Sequence, residues 1–186
     1  IAEKFVDLYA RNSGIRDKIV AERDVVLTYA LRAMHDTGLL KHLAFKGGTA
    51  LRKLVFGSTG RFSEDLDFTF ASARKPDDVF VELIDLFSRT HHGIGYTVDE
   101  NYETVKGTSL GADVNYRHDW NENSFHLQIS LREEPTLPMS GLAMKEQGYF
   151  RQLEFDRFEI PSLEPIEMAA EKVRAAYQRV KVRDLY

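Results

Sequence analysis

Two aspartates separated by a single residue are the strongest chemical signal in the chain. Asp65 and Asp67 lie in the sequence Asp-Leu-Asp-Phe-Thr-Phe, whose polar and apolar residues alternate with the period of two typical of a β-strand. Side chains at positions i and i+2 of a strand share one face, roughly 6.5–7 Å apart. The two carboxylates can therefore bind the same hard cations, as the Mg²⁺ ions of phosphoryl-transfer sites are bound. Two acids on the wet face of an edge strand would show the same pattern.

A pair of glycines upstream gives the aspartates a chemical context. The apolar run 43–45 predicts a short strand, which Gly47 and Gly48 follow directly. Glycines let a backbone approach a ligand closely, and Thr49 is a favourable N-cap for a short helix over 50–56. The N–H groups and the positive dipole end at such a helix start bind phosphate. A Walker loop is excluded, because no Gly-Lys-Ser/Thr follows. Strand, phosphate cradle, short helix and metal-binding strand together predict a nucleotidyltransferase.

The same stretch resembles motif I of the AbiEii/AbiGii (MenT-type) nucleotidyltransferase toxins, a family of the DNA polymerase β-like superfamily. That motif is G-G-T-x-L followed, ten or more residues later, by R-x-S-x-D-x-D. The two matching segments are Gly47-Gly48-Thr49-Ala50-Leu51 and Arg61-Phe62-Ser63-Glu64-Asp65-Leu66-Asp67. The resemblance implies an α+β fold: a polymerase β-like nucleotidyltransferase core, a mixed sheet with packed helices, flanked by N- and C-terminal helices.

The C-terminal helix carries a second, looser part of the resemblance. The toxins have a helix with a Lys, followed about a dozen residues later by R-D-x-x-D, and Lys172 and Arg183-Asp184 fit this pattern. By resemblance, Lys172 contacts the nucleotide phosphates and Asp184 supports the site or the incoming base. The helical period independently places Lys172, Arg179 and Arg183 within about 20° of one line. That stripe could bind a triphosphate or an RNA backbone, although compensation of the helix dipole explains the same charges.

The motif also predicts roles for the other polar residues of the stretch. Asp65 and Asp67 are expected to hold Mg²⁺. The triphosphate is expected to contact the backbone of Gly47, Gly48 and Thr49, the side chains of Ser63 and Lys172, and, at the rim of the site, Lys46 and Arg52. Arg61 would orient a phosphate or the aspartates, and a structural salt bridge accounts for it equally well. Phosphorylation of Thr49 or Ser63 would add about −1.5 to −2 charges where the triphosphate binds and would inactivate the enzyme.

Polymerase β-like enzymes usually take a third carboxylate from a later strand. In the alternating segment 125–131, the best-aligned position carries Gln128, which can orient a ligand but adds no charge to a metal site. Asp113 and Glu133 are the other candidates for a third acid. If neither residue contributes, two carboxylates are enough to hold the metal.

Composition limits the class of protein to which the chain can belong. The 186 residues are 43% hydrophobic and 29% charged, which is typical of a globular chain, and a net charge of −4 excludes a globally basic nucleic-acid surface. Cysteine is absent, and neither a membrane-spanning run nor a signal peptide is visible, so we expect a cytoplasmic protein. We divide the chain into an N-terminal helical segment 1–41, a nucleotidyltransferase core 42–134 and a C-terminal helical segment 135–186 that completes the site within one compact unit. The second Asp of R-D-x-x-D would fall beyond Tyr186, so the C-terminus is expected to be incomplete.

Periodicity and turn residues outline the other elements. They predict helices over 2–10, 15–40 and 76–89, strands over 95–106, 110–118 and 124–132, a loop over 135–148, a strand or hairpin over 150–160, and a final helix beginning at Ser162 with Pro165 in its first turn.

The acceptor of the transferred group is implied by resemblance alone. Toxins of this family attach nucleotides, often pyrimidines, to tRNA 3′ ends, which blocks aminoacylation and translation, and each has a cognate antitoxin encoded alongside. We therefore expect a Mg²⁺-dependent toxin that uses an NTP, possible substrates including CTP, on the tRNA acceptor end. The residues leave two alternatives open: a nucleotidyltransferase acting on a small molecule or protein hydroxyl, as in antibiotic adenylylation or AMPylation, and a non-catalytic nucleotide-binding module.

Overall fold

The computed structural model describes residues 1–99, 103–105, 107–132 and 134–179. The strands in these ranges are β1 Leu43–Lys46, β2 Leu66–Phe70, β3 Thr90–His91, β4 Ile94–Val98, β5 Glu103–Val105, β6 Ser109–Arg117, β7 Glu122–Ser130, β8 Ser140–Ala143 and β9 Glu159–Ser162. The helices are α1 Glu3–Asn12, α2 Lys18–Asp36, α3 Gly47–Ala50 with a π-helical continuation Leu51–Phe56, α4 Pro76–Leu86 and α5 Pro165–Arg179. None of the described helices is long and apolar enough to cross a membrane.

All of these strands belong to one mixed sheet. The order is β3-β4-β6-β7-β2-β1-β9-β8, and β5 pairs with β6. Strand β2 pairs antiparallel with β1 and parallel with β7, while β1 pairs parallel with β9. The strand that carries Asp67 is therefore central, with a neighbour on each side, and the wet edge-strand alternative is excluded. The mixed sheet with packed helices confirms the predicted α+β fold.

Helix α2 packs against α1 and α4. Asp17 caps its N-terminus by accepting a hydrogen bond from the Ile19 N–H at 2.9 Å, and the chain turns at Gly38, whose φ is +77°. Twelve of its 19 residues are buried, so the helix is enclosed on several sides rather than along one stripe. Two of the buried residues are acids, Glu22 and Asp24. They require partners, because an unpaired buried charge is costly.

Several predicted boundaries were wrong. The helix predicted over 15–40 ends at Asp36 and is followed by a separate 3₁₀ turn at Leu39–His42. The helix predicted to reach residue 89 ends at Leu86. The predicted strand over 95–106 is divided into β4 and β5, and residues 100–102 and 106 of that prediction lie outside the described ranges.

The segment predicted as a loop over 135–148 also contains a strand. Strand β8 pairs antiparallel with β9, which places Leu142 opposite Ile160. The predicted strand or hairpin over 150–160 is a 3₁₀ turn at Phe150–Gln152 followed by β9. A four-residue edge strand has too few alternating positions to reveal itself in sequence, because its pairing partner is distant. Residues 135–179 thus add two strands to the sheet as well as a helix.

Candidate active site

The motif residues surround a cleft of about 830 Å³ between the sheet and helix α5. Leu66 and Phe68 are fully buried on one side of β2, as the alternation predicted, and Asp65 and Asp67 line the cleft on the other. Of the predicted residues, the cleft also brings together Lys46, Gly47, Gly48, Arg61, Ser63, Gln128 and Lys172.

The two glycines allow the two halves of the motif to touch. Gly47 has a φ of +80°, and a Cβ at this position would overlap the Asp67 carboxylate. A Cβ at Gly48 would lie 2.7 Å from Ser63 Oγ, closer than real Cβ contacts allow. Close approach of a ligand was the predicted reason for the diglycine. The structure adds a second reason, because Asp67 and Ser63 already fill the space beside it.

Thr49 joins the helix to the residue that precedes β2. Its side chain is buried, and Thr49 Oγ1 donates a hydrogen bond of 2.5 Å to the Asp65 carbonyl. The prediction that Thr49 caps the helix was wrong: the helix begins at Gly47, with Lys46 at the N-cap position. Its hydroxyl is enclosed by the fold, whereas the Ser63 hydroxyl lines the open cleft.

The aspartate pair is electrostatically suited to a cation. Burial raises the pKa of Asp67 to about 6, repulsion from Asp65 adds to the rise, and the positive charges of Lys46, His126 and Lys172 oppose it. A divalent ion would relieve both the burial and the repulsion. Among the described residues, no third His, Cys, Asp or Glu joins the pair to form a metal-binding group. Two carboxylates fit Mg²⁺, which takes one or two protein carboxylates and fills its shell with water and substrate phosphate.

The residue at the position expected for a third acid is Gln128, on a strand next to that of Asp67. Gln128 lies opposite Asp67 in the parallel pairing of β2 and β7. Asp113 lies one strand further, on β6, where its Oδ1 is 2.8 Å from His126 Nδ1, and it does not line the cleft. Glu133 lies outside the described residues.

The opposite wall of the cleft belongs to α5. Lys46 Nζ, at the end of β1, is 3.1 Å from Glu171 Oε1, so an ion pair joins the sheet to the helix. Lys172 and Arg174 line the same wall. Among the residues of the predicted basic stripe, only Lys172 has a described side chain. Arg183 and Asp184 lie outside the described residues.

Six charged residues of the cleft were missed from sequence. They are Glu64, Arg132, Glu134, Glu167, Glu171 and Arg174, which line it beside the predicted residues. Arg132 could have been found, because extending the alternation of β7 places it four residues after Gln128, on the same face. The prediction that Arg52 lies at the rim was wrong, since its side chain is only 1% exposed and lies behind the cleft.

Comparison with known proteins agrees with this geometry. A family profile described as "Nucleotidyl transferase AbiEii toxin, Type IV TA system" matches residues 29–186. The chain belongs to this toxin family. No curated protein sequence matches the chain significantly.

Solved structures extend the comparison from the AbiEii profile to the fold. MenT4, a nucleotidyltransferase toxin from Mycobacterium tuberculosis, superposes with a TM-score of 0.79 at 29% identity, over 97% of this chain and 62% of its own. JHP933 from Helicobacter pylori superposes with a TM-score of 0.59 at 18% identity, over 91% of this chain and 64% of its own. A putative nucleotidyltransferase from H. pylori superposes with a TM-score of 0.59 at 19% identity, over 91% of this chain and 66% of its own. The last two establish a shared fold only. This AbiEii-family chain spans less than two thirds of each of these proteins.

Proposed function

We propose that this chain contains the catalytic unit of an AbiEii toxin, which transfers a nucleoside monophosphate from an NTP to the 3′-terminal hydroxyl of tRNA. One observation carries the proposal. A single cleft holds an aspartate pair suited to a divalent cation, a helix start with two glycines, and a lysine-bearing helix on the facing wall. Metal, phosphate and cationic groups at these positions are the parts that phosphoryl transfer requires.

Each part has a role that follows from its chemistry. Asp65 and Asp67 would hold Mg²⁺, which when bound neutralises phosphate oxygens and makes the α-phosphorus more electrophilic. The N–H groups at the start of the helix at Gly47 donate to the triphosphate, where the positive end of the helix dipole also favours anions. Lys46 and Lys172 stabilise the negative charge that develops on pyrophosphate as the bond from the α-phosphorus to the bridging oxygen breaks.

Ser63 and Arg61 lie on the loop between the helix and β2. Ser63 Oγ is beside Gly48 and can donate a hydrogen bond to a phosphate oxygen held there. Arg61 lines the same cleft and can bind a phosphate with its planar guanidinium. The chemistry needs little more than such positioning, because phosphoryl transfer is catalysed mainly by orientation and electrostatics.

The tRNA acceptor is supported by family membership and by the charges of the cleft. The cleft is lined by five cations, Lys46, Arg61, Arg132, Lys172 and Arg174, and by six acids, Glu64, Asp65, Asp67, Glu134, Glu167 and Glu171. A divalent ion held by Asp65 and Asp67 would leave the cations in excess, as a polyanionic acceptor beside a triphosphate requires. The same proposal includes a preference for a pyrimidine nucleotide such as CTP and a cognate antitoxin as partner. It also includes action in the cytoplasm and inhibition of translation.

Transfer of radioactive label tests the proposal directly. The protein is incubated with Mg²⁺, total tRNA and each α-labelled NTP in turn, and Asp67→Asn is compared with Asp77→Asn, an exposed acid on α4. We expect label on tRNA that depends on Mg²⁺, is lost in Asp67→Asn and is retained in Asp77→Asn. Label on protein or on an added small hydroxyl compound would support the other transferase class. No label and no pyrophosphate under any condition would overturn the enzymatic function.

A further inference from the structure

A buried ionic cluster lies directly behind the cleft. Asp24 on α2 is fully buried, and its Oδ1 accepts hydrogen bonds from Arg52 Nε at 3.2 Å and from Lys53 Nζ at 3.0 Å. Its Oδ2 accepts from the Tyr9 hydroxyl at 2.7 Å. Burial alone would raise the pKa of Asp24, but the charges of Lys53 and Arg52 hold it below its usual value. One carboxylate thus faces two cations inside the core.

Such a cluster is poorly explained by stability alone. Burying ions costs free energy, and apolar residues of similar shape often give equal or greater stability. Ions form directional hydrogen bonds, which apolar residues cannot form, and each of these bonds fixes the position of its partner. The hydrogen-bond partners therefore indicate what the cluster does.

Arg52 directs one hydrogen bond at the loop that carries Arg61 and Ser63, and its other hydrogen bonds reach Asp24, Tyr9 and Gln147. One terminal nitrogen donates to the Gly60 carbonyl, and the other donates to the Tyr9 hydroxyl at 2.8 Å. The guanidinium carbon lies 3.5 Å from the centre of the Phe62 ring. Arg52 therefore contacts the residue before Arg61 and the residue after it, while its Nε is held by Asp24.

Lys53 provides an internal comparison within the same cluster. Its Nζ donates to the Asp24 carbonyl at 2.9 Å, to Thr28 Oγ1 at 2.8 Å and to the Tyr149 hydroxyl at 3.2 Å. These partners belong to α2 and to the chain beyond β8, and none of them belongs to the loop. Lys53 thus anchors the helix, whereas Arg52 connects the same carboxylate to the loop.

We propose that Asp24 and Arg52 are positioning residues that fix the Arg61–Ser63 loop against the Gly47–Gly48 helix start. Arg52 lies one turn after the glycines on the same helical stretch, so a single side chain links both halves of the motif. The link matters because Ser63 touches Gly48, and a displacement of about 1 Å can cost 100-fold in rate. The catalytic consequence rests on the proposed nucleotidyltransferase function. The effect on the loop does not.

Arg52→Lys is the discriminating variant. Lysine retains the buried positive charge beside Asp24 but lacks the planar fork that reaches Tyr9 and Gly60 together. Phe62→Leu removes the ring under the guanidinium while leaving every ion in place. Tyr149→Phe is the matched control, because it removes a hydrogen bond of Lys53 in the same cluster and touches no loop residue.

The first measurement, amide hydrogen exchange, does not depend on activity. We expect Arg52→Lys to accelerate exchange of the amides of residues 60–64 by about tenfold, which corresponds to the loss of one hydrogen bond. Phe62→Leu, which removes the ring contact, is expected to accelerate exchange of the same amides. Tyr149→Phe is expected to leave these amides unchanged. Unchanged exchange in Arg52→Lys, or equal acceleration in Tyr149→Phe, would overturn the proposal.

Kinetics provides the second measurement. We expect Arg52→Lys to raise the KM for NTP about tenfold or to lower kcat by a similar factor, while Tyr149→Phe, at comparable thermal stability, retains both. Equal kinetic losses in the two variants would indicate a merely structural role and overturn the proposal. If the wild-type protein transfers no nucleotide while Arg52→Lys still loosens the loop, the proposed function fails and the positioning of the loop is upheld.

Discussion

Gln128 on β7 lies directly opposite Asp67 on β2, because the two central strands pair in parallel with this register. A neutral amide thus occupies the position at which the family resemblance led us to expect a third carboxylate. Since Gln128 lines the cleft and is exposed, the position can accept a charged residue without disturbing the core. A cation bound at Asp65 and Asp67 would therefore have two protein carboxylates as ligands.

Gln128→Glu should convert this arrangement into a three-carboxylate site. We expect the Mg²⁺ concentration that gives half-maximal thermal stabilisation to fall about tenfold, which corresponds to about 1.4 kcal/mol of additional attraction. In EDTA the same variant should be less stable than wild type, because three acids then repel one another. The matched control is Gln152→Glu, which adds the same charge at an exposed position away from the cleft. A Mg²⁺ dependence identical in both variants would contradict the expectation.

The pH dependence of stability should report Asp67. Burial and repulsion from Asp65 raise its pKa to about 6, whereas the unfolded chain has an ordinary value near 4. A raised folded pKa means that the contribution of Asp67 to stability is complete below about pH 4 and is lost as the pH rises through about 6. Without metal, we expect Asp67→Asn to exceed wild type by about 2 kcal/mol at pH 8 and to equal it near pH 4.

Urea unfolding at the two pH values in EDTA measures this difference. Saturating Mg²⁺ should then remove the advantage of the asparagine variant at pH 8, because a bound cation favours the ionised carboxyl of the wild type. A constant difference across the pH range would show that the effect of the substitution comes from packing rather than from ionisation.

The local parts of the site could be predicted from the sequence. Period-two alternation correctly separated the buried Leu66 and Phe68 from Asp65 and Asp67, and the diglycine correctly marked a helix start close to them. These predictions succeed because the signal and the structure lie within the same few residues.

Residues joined through the tertiary structure could not be predicted in the same way. Arg52 was expected at the rim, but its side chain is buried. Its burial depends on Asp24, which is 28 residues distant and lies on another helix, so no local pattern contains it. The ion pair of Lys46 with Glu171 spans 125 residues and was missed for the same reason.

The two motif glycines should be sensitive to a single methyl group. Gly47 and Gly14 have similar φ values of +80° and +69°, but a Cβ at Gly14 would meet no atom within 4 Å. Gly14→Ala therefore measures backbone strain alone, about 1–2 kcal/mol. We expect Gly47→Ala to be less stable than Gly14→Ala by a further 1–3 kcal/mol, about the typical overpacking cost, because its Cβ overlaps Asp67. Chemical denaturation of both variants checks this, and equal losses would show that the contact with Asp67 is unimportant.

Substitutions at Ser63 and Thr49 should have different effects, although the sequence offers both hydroxyls as phosphorylation sites. Ser63 lines the cleft, so Ser63→Asp should fold normally and lose most of its affinity for a triphosphate, which the new negative charge repels. Thr49 is buried and donates to the Asp65 carbonyl, so Thr49→Asp should unfold the protein, and Thr49→Val should cost about 1–2 kcal/mol. Thermal unfolding with and without a Mg²⁺–NTP complex distinguishes these outcomes, with Ser58→Asp, exposed on the preceding turn, as the charge control. If Ser63→Asp were stabilised by nucleotide as strongly as wild type, a phosphate at Ser63 could not act as an off-switch.

Because only the cleft-facing hydroxyl is accessible in the folded chain, any regulatory phosphorylation of this motif should be found by mass spectrometry at Ser63 and not at Thr49.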